Sequence, residues 1–410
     1  MPLTASVVGD GVRRLAVLRL SRCMIRSLVA LACLIGLIAP VPIVAAPIDW
    51  WNVQRRGGNS FNAAPPDQRY FNALAGYGGQ WVRLTYDKWK PERRDFLIGS
   101  VDKYEGLVQS DLSTLRATLD HAHAAGLKVV IAPLSLPGLR WKQNNGGVYD
   151  GRLWNDKAWW LQSQAFWRDL AQALKGHPAI AGFNIVNEPT PELGHGLVEH
   201  PDPKTAKTWY AAHRGTAQDL PLFYQGVIDA IRQVDFDTPI MLDAGWYGAA
   251  DGFAYWPTPL EDRALIYAFH MYEPYDATSG PNLKRNPRIL YPGTINGKTW
   301  DAAAVATYLG KPLAWADGHG IPRNRVVAGE FGCMRQLPFC ATYLDDVLNI
   351  LEPAGVHWAF YSFREDVWDG MDYELGGGAP PPGYWDNPAG AERGLTPQLE
   401  PIVRRLKRVR

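Results

Sequence analysis

Apolar residues follow two alternating rhythms along this chain: short, β-branched runs that end abruptly in polar residues, and longer stretches with apolar positions at three- and four-residue intervals. The short runs predict eight strands, over residues 52–59, 81–85, 128–132, 180–186, 239–242, 265–269, 325–328 and 356–360. The longer stretches predict helices, clearest over 110–125, 159–174, 221–234, 302–319 and 341–351. Ser110 or Asp111 is placed to cap the first of these helices. Gly126 stands where a left-handed residue closes it. Strands alternating with helices predict parallel pairing through crossover connections. Eight such units, with no Gly-x-Gly-x-x-Gly after the first strand, predict a closed (β/α)8 barrel of the α/β class instead of an open doubly wound sheet. The long inserts at 138–156, 190–219, 273–300 and 364–388 all follow strand ends, so they should roof one face of that barrel.

Two strand ends carry chemistry. The run Ala181 to Val186 stops at Asn187-Glu188-Pro189, and the run Arg325 to Gly329 stops at Glu330, followed by Phe331-Gly332. By the strand count Glu188 closes strand four and Glu330 strand seven, so both carboxyls project from the same rim. A facing pair of carboxyls is what glycosidic bond cleavage needs, one to protonate the leaving oxygen and one to attack or to direct water. A separation of about 5 to 5.5 Å would let Glu330 form a covalent glycosyl intermediate and so retain the anomeric configuration.

Composition narrows the partner. The 42 basic and 41 acidic residues leave a formal charge of +1, which gives no electrostatic footprint for nucleic acid or an anionic membrane surface and favours an uncharged substrate. The 17 Trp and 18 Tyr supply core volume and also flat faces on which sugars stack. Trp141, Trp154 and Trp368 in the strand-end inserts, and Trp246 just after strand five, are candidate sugar contacts.

Residues 24–46 read as a secretory signal: a charged start at Arg26, an apolar middle and the small residues Val44-Ala45-Ala46. Residues 1–46 are therefore set apart as an N-terminal extension and signal. The catalytic domain is expected over 47–410, exported to a secreted or periplasmic location, with an uncleaved membrane anchor as the alternative. Of the four cysteines, Cys333 and Cys340 remain in the mature chain, and in an exported protein they are expected to form a disulfide that shapes a local turn. No metal is expected there, because no further ligand stands at suitable spacing. The carboxylate-rich run Arg364 to Glu374 does not match a calcium loop and is expected to be solvated or arginine-paired.

The chain resembles glycoside hydrolase family 5, the cellulase-like retaining β-glycosidases, over roughly residues 50–404. The resemblance rests on Phe183-Asn184-Ile185-Val186-Asn187-Glu188-Pro189, Ala328-Gly329-Glu330-Phe331-Gly332, His270-Met271-Tyr272 and Arg83. It implies Glu188 as acid/base, Glu330 as nucleophile, Asn187 on the sugar 2-hydroxyl, and Arg83, His270 and Tyr272 supporting nucleophile or substrate. Arg83 should keep Glu330 ionised while Glu188 holds its proton. Two departures from the family pattern bear on the glycan. Ser135 stands where many members have a histidine after strand three. At strand eight, Trp358 and Tyr361 are both candidates for the sugar platform, with Phe363 a third. The reading is an endo-acting β-glucan hydrolase that needs no cofactor and works as a monomer without a stable membrane partner. An exo-acting or exported-polysaccharide-trimming glycosidase, and a non-catalytic carbohydrate-binding barrel, are the alternatives.

Overall fold

The computed structural model describes residues 46–407. The predicted signal lies outside the described residues except for Ala46. All eight predicted strands form: β1 (Arg56–Ser60), β2 (Trp81–Leu84), β3 (Lys128–Ile131), β4 (Ile180–Asn184), β5 (Ile240–Asp243), β6 (Leu265–Met271), β7 (Val326–Phe331) and β8 (His357–Phe360). They pair in parallel, each with its neighbour in this sequence, and β8 closes on β1, so the sheet is a complete barrel without edges. The expected helices appear at Gln109–Ala124, Ala158–Leu174, Leu220–Arg232, Ala302–Gly318 and Cys340–Ala354. Among the described residues no helix is long and apolar enough to cross a membrane.

The first strand starts later than its apolar pattern suggests. Ahead of it Pro47–Asn52 forms a 3-10 turn, and its Trp51 is fully buried. The Trp51 indole packs edge-on to Trp81 at 5.2 Å and donates to the carbonyl of Ala181 at 3.0 Å, plugging the barrel at the end where the strands begin. Gly57 lets β2 approach closely, since a Cβ there would meet the Trp81 carbonyl oxygen at 2.2 Å and its ring at 2.8 Å.

Gly126 has φ +74, as its position after the helix requires. The expected cap is different: the residue before that helix is Val108, which has no capping side chain. Asp111 instead accepts the backbone N–H groups of Glu92 at 3.1 Å and Leu97 at 3.0 Å, so it fixes the loop after β2. Helices at Gln68–Gly76 and Pro203–Ala212 are additional to the expected ones; both begin at an aspartate, Asp67 and Asp202, that caps two backbone N–H groups.

Cys333 and Cys340 are disulfide-bonded, closing the turn between β7 and its helix. Three of the carboxylates of the 364–374 run are arginine-paired, Glu365 pairs with Lys88, and Asp366 accepts the backbone N–H groups of Ala63 and Ala64. Glu374 takes a two-point bond from Arg364 at 2.6 and 2.9 Å, Asp372 pairs with Arg393, and Asp369 with Arg335.

Candidate active site

Strand parity places the side chains. In β2 and β6 the residues of the barrel interior are Trp81 and Ala268, so Arg83 and His270, two positions on, also point inward at the mouth. Simple alternation in β7 would send Glu330 outward, because Val327 is inside. The β6–β7 register slips between Phe269 and His270, pairing Phe269 with Ala328 but His270 with Glu330. Gly329 is thus an extra residue, and the bulge turns Glu330 into the mouth beside His270. The Asn59 side-chain amide donates to the carbonyl of Gly329 at 2.9 Å and pins the bulge.

Arg83, fully buried, is the hub. Its guanidinium donates to Glu330 Oε1 at 2.7 Å, Asn187 Oδ1 at 2.7 Å, Asn184 Oδ1 at 2.6 Å and Asp243 Oδ2 at 3.1 Å. Asp243, also fully buried, accepts the backbone N–H of Glu188 at 3.1 Å as well and so ties the acid strand end to the arginine. Tyr272 donates its hydroxyl to Glu330 Oε2 at 2.6 Å. Glu330 therefore has a charged donor on one oxygen and a phenol on the other.

Glu188 sits differently. Its backbone adopts φ +51, a conformation that a bulky residue holds only when its surroundings enforce it. One carboxyl oxygen lies 2.9 Å from His270 Nδ1, and about a fifth of the side chain, 21%, is open to the cleft. Burial pushes Glu188 up to about 8; Arg83 opposes the rise, and Asp243 and Glu199 add to it. Burial raises Glu330 as well, against His270, Arg83 and the Tyr272 hydroxyl, so the arginine moderates its pKa without lowering it below the ordinary range. Burial lowers His270, and the neighbouring Glu330 and Asp243 carboxylates oppose that shift. An oxygen of Glu188, a nitrogen of His270 and an oxygen of Glu330 all lie within 4.8 Å of one another.

These groups form the floor of a cleft of about 780 Å³, and all four long inserts contribute to its walls, through Trp141, Glu199, Glu273 and Trp368 among others. Of the predicted sugar contacts, Asn187, His270, Tyr272, Trp246 and Tyr361 line it. Asn187 spends its carbonyl oxygen on Arg83, which leaves the amide nitrogen as the donor for a ligand. Trp358 does not belong to the site. Ala359 is the inward residue of β8, so Trp358 faces the helix layer, fully buried, where its indole donates to Glu352 at 2.8 Å. The same parity brings Tyr361 to the cleft, beside Trp368 at 6.2 Å. Phe363 is buried against Tyr70 and Trp154 against Phe223, so neither is a sugar contact. At the position of the missing histidine, the backbone N–H of Ser135 donates to Asp87 at 2.7 Å.

Sequence reasoning missed Asp243, Asn184 and Asn59. Asp243 had the same signal as Glu188, a carboxyl just past an apolar run of strand length.

A second group with ligand-type side chains, Glu199, His200 and Glu273, stands at the rim. His200 lies 3.4 Å from Asp251 and 3.1 Å from Glu273; burial works against its protonation, but those two hydrogen bonds raise it to about 10. An imidazolium already supplies the positive charge these carboxylates attract. In the Glu188–His270–Glu330 group, Arg83 does the same for Glu330.

The family model of cellulase, glycosyl hydrolase family 5, matches residues 49–366. Endoglucanase 3 of Fibrobacter succinogenes is 26% identical over 239 residues, 48% of this chain and 33% of that protein, so the match spans about a third of the relative's length. Among solved structures, the Pseudomonas stutzeri endoglucanase Cel5A superimposes with a TM-score of 0.55 at 21% identity, covering 86% of this chain and 93% of that one. Thermotoga maritima Cel5A does so with a TM-score of 0.58 at 18% identity, covering 80% and 94%. These two likenesses are of fold. The family match extends over most of the barrel, from the Trp51 plug through β8 to Asp366, and with it the chain belongs to glycosyl hydrolase family 5.

Proposed function

We propose that this protein is an exported, retaining, endo-acting hydrolase of a β-glucan-type polysaccharide, with Glu188 as acid/base and Glu330 as nucleophile. The observation that carries retention is the approach of the two carboxyls within 4.8 Å, which leaves no room for a water on the far side of the sugar as inversion requires. In the first step Glu330 attacks the anomeric carbon and the bond to the leaving oxygen breaks, while Glu188 gives that oxygen its proton. In the second, Glu188 takes a proton from water, whose oxygen displaces Glu330 from the same carbon. Arg83 and Tyr272 stabilise Glu330 as a carboxylate before attack and as the leaving group afterwards. Aromatic side chains on both sides of the pair, Trp141, Trp246 and Tyr247 on one and Tyr361 and Trp368 on the other, support binding in mid-chain. The Thermotoga relative was solved with cellobiose and with mannotriose, so glucan and mannan are the first substrates to try.

The test is to incubate residues 47–410 with β-glucans, mannan and xylan and to follow product size and the anomer first released. Mixed oligosaccharides with retained configuration are expected; inverted product would refute the double displacement, and no release from any polymer would refute the substrate class. An exo mode is favoured by one feature, the wall at the cleft rim where His200 joins the loop after β4 to Asp251 and Glu273. Release of a single short product would select it.

The carboxyl environments also set a pH profile. Turnover needs Glu188 protonated and Glu330 ionised, so kcat/KM should fall as pH rises through about 8, where Glu188 loses its proton. On the acid side it should fall as Glu330 gains one, above the ordinary carboxylate range because burial raises it. The two apparent values belong to the coupled pair. A profile still rising at pH 10 would contradict the assignment of Glu188 as acid.

A further inference from the structure

The turn after β5 runs Gly245-Trp246-Tyr247-Gly248, and it holds two consecutive bulky residues in the left-handed region, Trp246 at φ +46 and Tyr247 at φ +59. Both side chains line the cleft. Tyr247 packs against Trp141 of the loop after β3 at 5.6 Å, so the three aromatics form one wall. A bulky residue does not rest in this backbone conformation unless something holds it. What holds it comes from the segment that follows the acid/base. The Tyr247 N–H donates to the carbonyl of Pro189 at 3.3 Å, and the Trp246 N–H donates to Glu192 Oε2 at 3.2 Å.

Glu192 is itself fully buried, and nothing in the double displacement uses it. Its other oxygen accepts the hydroxyl of Tyr210 from the helix at Pro203–Ala212. Gly245 is moulded to the carboxylate, since a Cβ there would collide with Glu192 Oε1. A buried carboxyl spent on one backbone N–H and one phenol is a costly way to hold a turn unless the geometry of that turn matters.

We propose that Glu192 is a positioning residue that sets the aromatic wall of Trp246 and Tyr247 for the part of the glycan on the leaving-group side. The side follows from topology: the loops after β3 and β5 flank β4, which carries the proton donor, whereas Tyr361 and Trp368 follow β8 across the barrel mouth. The inference rests on the hydrolase reading above for its substrate and on hydrogen bonds alone for the clamp.

The experiment compares wild type, Glu192→Ala and Glu192→Gln on cellohexaose and on 4-nitrophenyl β-cellobioside, whose small leaving group makes little use of the wall. Glu192→Ala should raise KM for cellohexaose about tenfold, the scale of one buried hydrogen bond, with kcat/KM on the aryl substrate changed by less than about threefold. Glu192→Gln should recover most of the loss, because its amide oxygen can accept from Trp246 while its nitrogen donates to the Tyr210 oxygen. An unchanged KM for cellohexaose, or an equal loss on both substrates, overturns the proposal. Glu192→Asp, which keeps the charge but draws the oxygens back, puts the same question if the alanine variant does not fold. Hydrogen exchange reads the clamp without any substrate: amides in 245–248 should exchange at least about tenfold faster in the variant than in wild type, with the barrel strands unchanged. Unaltered protection there overturns the proposal even if neither probe is hydrolysed, an outcome that would by itself sink only the cello-oligosaccharide reading.

Discussion

Glu330→Gln is expected to lower kcat on a β-glucan by at least about 10⁴-fold, the scale on which deleting a covalent nucleophile acts, while melting at nearly the wild-type temperature. The amide is isosteric, so its oxygen can still accept from Arg83 or Tyr272, and the fold loses little. What it cannot do is attack. Glu188→Gln should behave differently, and the difference identifies the roles. Loss of the proton donor should cost about 10² to 10⁴-fold on a polymer, whose leaving alkoxide needs protonation. With an aryl glycoside that leaves as a stable phenolate, the first step should be almost spared, so a burst of phenol should precede slow release of the glycosyl enzyme. Equal losses for both variants on both substrates would mean that the carboxyls do not divide the work as proposed. Full activity in either would exclude that residue from the chemistry.

The barrel was readable from the sequence because its signals are local: apolar runs of strand length, helical stripes between them, and polar residues at strand ends. The active pair was readable for the same reason, as Glu188 and Glu330 each interrupt an apolar run. Features that depend on contacts between strands were not. No local pattern announces the bulge at Gly329, which decides whether Glu330 faces the cleft or the helices; it arises where β7 slips against β6. Nor does composition separate a tryptophan in the wall from one in the core. Trp358 and Trp154 look as suited to sugar stacking as Trp246, yet strand parity buries the first and packing against Phe223 the second. Parity counted from Ala359 would have chosen Tyr361 over Trp358. The Trp51 plug escaped because it too depends on distant contacts, with Trp81 and the carbonyl of Ala181.

Arg83→Met is expected to be more damaging than either carboxyl variant to the protein as a whole. The arginine is the cationic partner of two buried carboxylates, Asp243 and Glu330, and also fixes Asn184 and Asn187. Methionine fills similar volume but leaves those carboxylates without their counter-charge, and breaking a buried pair in this way costs about 3–5 kcal/mol. The cost should show as a large drop in denaturation midpoint at neutral pH. It should shrink on acidification, since protonating Glu330 relieves part of the uncompensated charge. Whatever activity survives should have its whole pH profile displaced to alkaline values, because Arg83 draws down the pKa of Glu188 and of Glu330 alike. A double variant separates the two consequences. Arg83→Met with Asp243→Asn removes one stranded charge and should recover a large part of the stability. It should not recover turnover, because Glu330 still lacks the donor that holds it as a carboxylate and Asn187 lacks the bond that aims its amide. A single variant as stable as wild type would show that the Arg83–Asp243–Glu330 network is not the hub of the barrel mouth. A double variant with restored turnover would show that the arginine serves the fold and not the nucleophile.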